Sequence, residues 1–354
     1  MISRRTSRYA AIGLAFTLSL GAAVPIASAC TRIFLNEAGG PYVVARSMDW
    51  ATTTEPVLTV LPRGMARDGS MAGPHAVFPS NPMKWTSKYG SVVTTIYGVG
   101  TADGINEKGL AAHMLYFPPA DFGARDEAKP GIQSALWAQY VLDNSATVAE
   151  AIENVEKVQI ILVEVDVGGQ KQRGTVHLAI EDAAGDSAVL EYIDGKLVVY
   201  HGPQYKVMTN APAYNEQLKM LAERDFANPT METDVPGNVN PRDRFQRASY
   251  YLSTLTKPGT ERAAIAGMFT LIRSVSIPFG APVNDSTFDT EYRVVSDLSN
   301  KRYYFELTTG PNVVWIDVDK LNLDQGAPAM TLDPHNDDLT GNVTDKFQAA
   351  TAPF

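Results

Sequence analysis

Apolar and polar positions along this chain fall into long blocks that switch between strand-like and helix-like spacing. After an opening that carries Arg4, Arg5 and Arg8, residues 9–29 form an uncharged and mostly apolar run. Thr31 to Leu35 is short and β-prone, Asn36 to Pro41 is turn material, and Tyr42 to Arg46 resumes as a strand. That pair predicts a hairpin that brings Arg46–Asp49 back towards residue 31. Val92 to Tyr97 is a further apolar run, and the cluster Asp103-Gly104-Ile105-Asn106-Glu107-Lys108-Gly109 predicts a turn before the run Leu110 to Phe117. The spacing then becomes helical, with Ile132, Leu136 and Tyr140 on one face. Thr147 with Glu150 three residues later predicts a capping box ahead of Ala151, Ile152 and Val155.

Strand patterning returns over Val158–Val167, Thr175–Ile180, Ala188–Ile193 and Lys196–Tyr200. Helices are expected over about Arg242 to Leu255 and Glu261 to Val275, then strands from Tyr292 to Asp317. The tail after Leu323 is polar and is expected to wrap the surface. Strands and helices in long alternating blocks predict a layered α+β protein, not a parallel βαβ sheet. No repeat, low-complexity tract or Pro/Ser-rich linker interrupts the chain, so one domain is expected over 30–354. Composition agrees: 45% hydrophobic and 19% charged residues suit a globular protein with ample core.

The opening run changes the picture most. Its three arginines, apolar stretch and small residues Ala27 and Ala29 before Cys30 describe a cleavable export signal over 1–29. Loss of these three arginines would deepen the net charge from −9 to −12, which argues against nucleic acid or an anionic membrane surface as partner. Cys30 is the sole cysteine, so an exported chain keeps its thiol out of any intramolecular disulfide. Four meanings of Cys30 remain open at this point. It is the first residue of a mature chain, with nucleophilic thiol and basic α-amine in one residue. Or it is an acylated anchor, for which Ala27 replaces the usual leucine. Or it follows an uncleaved membrane anchor, which the short run and Pro25 disfavour. Or it is incidental.

Other chemistry is thinly supported. The five histidines, His75, His113, His177, His201 and His335, are scattered without metal-binding spacing, so neither metal nor cofactor is expected. Neither Gly-x-Ser-x-Gly nor Ser-x-x-Lys occurs. Gly98-Val99-Gly100 begins like a dinucleotide fingerprint, but its third glycine, Gly104, comes one place late. A hydrolase must therefore lean on Cys30. A terminal cysteine needs a cation near its sulfur, an acceptor for its amine and two donors for the oxyanion. Arg46 and Asp49 fit the first two needs if the hairpin folds back.

Cys30-Thr31-Arg32-Ile33-Phe34 and Ala45-Arg46-Ser47-Met48-Asp49-Trp50 resemble the opening of the choloylglycine hydrolase and penicillin V acylase family, which are N-terminal-nucleophile (Ntn) hydrolases. Further blocks resemble the family in order: Asp103–Leu110, Val207-Met208-Thr209-Asn210-Ala211-Pro212, Arg242-Asp243-Arg244-Phe245-Gln246-Arg247, and Thr290–Phe305. The resemblance implies an αββα four-layer sandwich with two antiparallel sheets. It implies Cys30 as nucleophile, with Arg46 against the sulfur and Asp49 on the amine. Asn210 and the Tyr116 backbone N–H would serve the oxyanion, and Arg244 would complete the charge network. Trp50, Tyr116 and Phe117 would line an acyl pocket. It further implies a periplasmic or secreted amidohydrolase, a homotetramer, acting on small acyl amides of the penicillin V or N-acyl-homoserine lactone type. The runner-up is conjugated bile salt hydrolysis; a reading from another class is a lipid-anchored or soluble binding protein without turnover.

Overall fold

A computed structural model describes residues 30–167, 170–283 and 286–354; the export signal expected over 1–29 lies outside the described residues. Two large sheets stack face to face. The first has seven strands and opens with β1 (Thr31–Leu35) and β2 (Val43–Trp50). β1 is flanked by Val207–Thr209 on one side and β2 on the other, and β2 pairs onward with Asp289–Asp297, then Arg302–Leu307 and Val313–Asp317. The second has nine strands, with Gly100–Asn106, Ala111–Tyr116 and Val176–Glu181 adjacent at its centre. The pairings among these named strands are antiparallel, as the alternating blocks predict. The helices α1 (Trp137–Asn144) and α2 (Val148–Glu156) cover the nine-stranded sheet. The helices α4 (Pro241–Thr254) and α5 (Glu261–Ser274) cover the seven-stranded one, and α3 (Tyr214–Ala222) lies beside α4. The result is the αββα sandwich, with a buried cluster between the sheets and under each helix layer.

Helix starts follow their local chemistry. The Thr147 hydroxyl accepts the Glu150 N–H, and the Glu150 carboxylate accepts the Ala146 N–H, so the capping box forms as predicted. Asn240 caps α4, with Pro241 at its first turn, and Thr260 caps α5.

Four expectations are corrected. Asp103–Asn106 is strand, and only residues after Asn106 turn, because the opposite strand Ser91–Ile96 satisfies their backbone. Ile132 lies in a short strand, Gly131–Gln133, outside the helix it was expected to begin. Val158–Val167 divides into Gln159–Ile161, paired in parallel with Gly131–Gln133, and Glu164–Val167, which forms its own hairpin. The tail after Leu323 does not simply wrap the surface. Met330–Leu332 and Gln348–Ala349 extend the nine-stranded sheet, and Gly341–Asn342 adds to the other. Its polar reading missed Leu332, Leu339, Val343 and Phe347, which are buried at intervals too irregular for a period.

Asn106 shows why that misread turn matters. Its Nδ2 donates to the carbonyls of Leu142 and Ser145 at 2.9 and 2.8 Å, and its Oδ1 accepts the N–H groups of Lys108 and Leu110. A buried amide thus locks the strand end to the end of α1. Asn106→Ala is expected to lower the unfolding free energy by about 2–4 kcal/mol, since four bonds of roughly 0.5–1.5 kcal/mol are lost. Urea denaturation of the two proteins checks this.

Candidate active site

Register sets the site. Thr31 lies opposite Ser47 on one side and opposite Thr209 on the other, so Cys30, one residue earlier, is bracketed by Met48 and Asn210. The Cys30 Sγ is 3.9 Å from Met48 Sδ and 4.0 Å from the Asp49 carbonyl oxygen. Cys30 N–H donates to Asn210 Oδ1 at 2.5 Å. Side chains alternate along β2, so Arg46, Met48 and Trp50 face the space between the sheets with Cys30. Ser47 and Asp49 face the α4 layer, where Arg244 waits.

Two buried guanidinium groups frame Cys30. Arg244 donates to the Cys30 carbonyl at 2.7 Å, to Asn210 Oδ1 at 3.0 Å, to the Thr31 hydroxyl and, through Nε, to the Val239 carbonyl. Its Nη1 also lies 3.7 Å from Asp49 Oδ2. Arg46 pairs with Asp103 at 3.3 Å, donates to the Met114 carbonyl and to Met48 Sδ, and stacks over the Tyr292 ring at 5.2 Å. Asp103 in turn accepts the hydroxyl hydrogens of Tyr303 and Tyr292.

Burial dominates the electrostatics. It lifts the Cys30 thiol, and Arg46 offsets this only in part, so the buried thiol stays protonated near neutral pH. Burial also lifts the Asp49 carboxyl to about 6, against the pull of Arg244 and hydrogen bonds from Thr290 at 2.5 Å and Ser47 at 3.1 Å. Cys30 opens onto a narrow cleft of about 100 Å³. Trp50 and Tyr116 meet edge-to-face across it at 5.3 Å, and Met48, Ile96, Ala102 and Met114 supply apolar walls. Phe117 is not brought to the cleft. It is fully buried and stacks on His177 at 4.6 Å, because the side chain after Tyr116 on the strand points to the other face.

Residues 30–344 match the family described as linear amide C–N hydrolases, choloylglycine hydrolase family. The chain belongs to that family. A penicillin V acylase of Pectobacterium atrosepticum is 38% identical over 95% of this chain and 94% of its own. The structure of a penicillin V acylase from Agrobacterium tumefaciens superposes with a TM-score of 0.80 at 40% identity, covering 91% of this chain and 98% of that one. A bile salt hydrolase/transferase of Clostridium perfringens is more distant, at 24% identity over 83% of this chain and 94% of its own. The structure of a conjugated bile acid hydrolase from that organism, 24% identical with a TM-score of 0.73, shares the fold. The chain is thus a hydrolase of linear amide bonds, more like the penicillin V acylases than the bile salt hydrolases.

Against this choloylglycine hydrolase fold, the residues singled out in the sequence divide clearly. Cys30, Asp49, Asn210 and Arg244 meet in one buried network, Arg46 reaches Met48 beside the thiol from the other face of β2, and Trp50 and Tyr116 line the cleft. The expected partners of two of them differ. The group on Cys30 N is Asn210 Oδ1, with Asp49 held instead by Arg244, Thr290 and Ser47. Several supporting residues escaped the sequence reading: Asp103, Tyr292 and Tyr303 behind Arg46, Thr290 beside Asp49, and Gln217 behind Asn210. The Gln217 amide donates to the carbonyls of Thr209, Asn210 and Pro212. Asp103, Thr290, Tyr292 and Tyr303 did lie inside recognised blocks, but their partners are distant in sequence. Among the described residues, no cluster of His, Cys, Asp or Glu is arranged to hold a metal, and no helix is long and apolar enough to cross a membrane.

The raised Asp49 carboxyl has a measurable sign. The folded protein binds this proton more tightly than the unfolded chain, so the stabilisation is complete below 3.8 and is lost as pH rises through 6. In the full-length chain, wild type is expected to lose about 3 kcal/mol of stability relative to Asp49→Asn across that window. Denaturant titrations of both proteins at each pH check it; a pH-independent difference would show that Asp49 titrates normally.

Proposed function

We propose that this chain is an exported acylase whose active form begins at Cys30, and that it releases an aromatic or fatty acyl group from a linear amide of the penicillin V or N-acyl-homoserine lactone type. The observation that carries this reading is a nucleophile without a nearby base. The thiol is buried and protonated, and no histidine reaches it. His113 and His177 are buried against Glu181 and Glu191 instead. In the full chain the Cys30 nitrogen is an amide and cannot take a proton. Cleavage after Ala29 turns it into an α-amine with an ordinary pKa of about 7.7–8.0, suited to that task. The leader pattern and the start of the family match at residue 30 support the cut.

In the proposed reaction the α-amine accepts the thiol proton and the sulfur attacks the amide carbonyl. Asn210 serves the resulting oxyanion. Arg244 and Cys30 N both donate to its Oδ1, which fixes the amide so that Nδ2 points to the Tyr116 carbonyl at 2.7 Å. One N–H of Nδ2 remains for the oxyanion. Tyr116 can supply the second donor. The Phe117 N–H bonds to Thr175 on the neighbouring strand, so the Tyr116 N–H points the opposite way, towards Asn210. The α-ammonium then protonates the leaving amine, giving a thioester, and water deprotonated by the same amine releases the acid and restores the thiol. Arg46 and Arg244 stabilise the developing negative charge from fixed positions. The small cleft capped by Trp50 and Tyr116 supports an aromatic or extended acyl chain over a steroid.

Purified mature protein should begin at Cys30 with an unmodified mass; a diacylglyceryl adduct would favour an anchored binding protein. Cys30→Ala should cut hydrolysis of penicillin V and long-chain acyl-homoserine lactones by about three orders of magnitude or more. Turnover of glycocholate ahead of both would move the reading to a bile salt hydrolase. Periplasmic location and a tetramer complete the proposal, and fractionation with light scattering checks them.

A further inference from the structure

Tyr97 combines two costs that the fold does not need. It is the first of three residues between Ser91–Ile96 and Gly100–Asn106, with φ of +53° followed by +63° at Gly98, and the Val99 N–H donates to the Ile96 carbonyl. Consecutive positive φ values make this a type I′ hairpin turn, whose first position favours Asn, Asp or Gly because a bulky side chain crowds the backbone there. The second cost is polar. The Tyr97 hydroxyl is buried in the cleft that Cys30 lines, and it makes no hydrogen bond. The Thr52 and Trp50 side chains lie near enough to influence it, but neither is in hydrogen-bonding geometry. Burial pushes the phenol up to about 12, so it is a neutral donor at working pH.

Phenylalanine would remove the second cost and asparagine the first, so the ring and the hydroxyl are both kept by something outside the fold. Apart from the Trp50 indole and the Tyr116 phenol, the other polar side chains of the wall are engaged. Arg46 is paired with Asp103, the Thr54 hydroxyl donates to Glu291 at 2.6 Å, and Arg173 faces Glu164 at 3.6 Å. The neighbouring walls are hydrocarbon and sulfur. The backbone that carries the phenol is held in place, since the Tyr97 N–H donates to the Thr54 carbonyl at 3.0 Å.

We infer that Tyr97 is a specificity-determining residue, whose hydroxyl donates to an acceptor oxygen within the acyl group of the substrate. The cleft then selects aryloxyacetyl or oxo-acyl amides over hydrocarbon acyl groups of the same length. This rests on the acylase reading above and names the acyl chemistry it takes.

The test uses mature enzyme and two matched pairs: phenoxyacetyl against 3-phenylpropanoyl amides, in which a methylene replaces the ether oxygen, and 3-oxodecanoyl against decanoyl homoserine lactones, in which a methylene replaces the ketone. Wild type should prefer the oxygen-bearing member of each pair by about tenfold in kcat/KM, the effect of one neutral hydrogen bond. Tyr97→Phe should bring both ratios close to one, through a larger fall on the oxygen-bearing member of each pair, with a Tm equal to or above that of wild type. Equal rates within pairs for wild type, an equal loss on both members in Tyr97→Phe, or a fall in its Tm would overturn the inference and leave the acylase reading standing. No hydrolysis of any of the four would overturn both.

Discussion

A single buried cation, the Arg244 guanidinium, ties together four segments that the chain supplies from far apart. It holds Cys30 and the first residue of β1, the loop after Val207–Thr209, the Asp49 face of β2 and Val239, two residues before α4. Moving such an ion out of water costs several kcal/mol, so it persists only where the surrounding acceptors are complete. Removing an acceptor would weaken the hold on the charge, and removing the charge would leave Asp49 with only the Ser47 and Thr290 hydroxyls and the Asn210 oxygen with only the Cys30 N–H. The position of Cys30 is therefore not an independent feature of β1. It follows from a helix that presents its fourth residue to the end of a sheet.

Arg46 plays a different part on the opposite face of the same strand. It is held from behind by Asp103, itself gripped by two tyrosine hydroxyls, so its charge is fixed while its edge reaches Met48 beside the thiol. Alternation along β2 thus separates two charge systems, one for the cleft and one for the helix layer, with Cys30 touching both. A local irregularity lets this work. The register between β2 and Asp289–Asp297 shifts after Met48, skipping Glu291 and placing Thr290 opposite Asp49. The skipped Glu291 is not idle, since it accepts the N–H and both hydroxyls offered by Thr53 and Thr54.

The cleft above this network is lined mainly by apolar and aromatic side chains. That contrast is why Tyr97 stands out. Its hydroxyl is buried with no protein partner, so its donor needs a ligand.

How much of this was legible depends on how local each signal was. The hairpin of β1 and β2, the capping box at Thr147, both long helices and the layered α+β class follow from periodicity and end signals, which short-range sterics and hydrogen bonding impose. The five residues singled out for the site also lie close together in the structure, each within a short block whose order along the chain is distinctive. Their partners were not legible. Asp103 read as part of a turn because glycine and asparagine surround it, whereas a strand across the sheet turned the segment into the counter-charge of Arg46. Phe117 read as a pocket residue because its neighbour is one; pleating alone sends it to His177. The tail read as surface because its apolar residues follow no period, yet it completes the edges of both sheets. The sequence by itself determined which chemical groups exist and which short elements carry them. Only the tertiary structure decided which buried charge faces which acceptor, because that pairing spans up to 214 residues of chain between Arg244 and Cys30 and is set by sheet register and helix placement, not by any local preference.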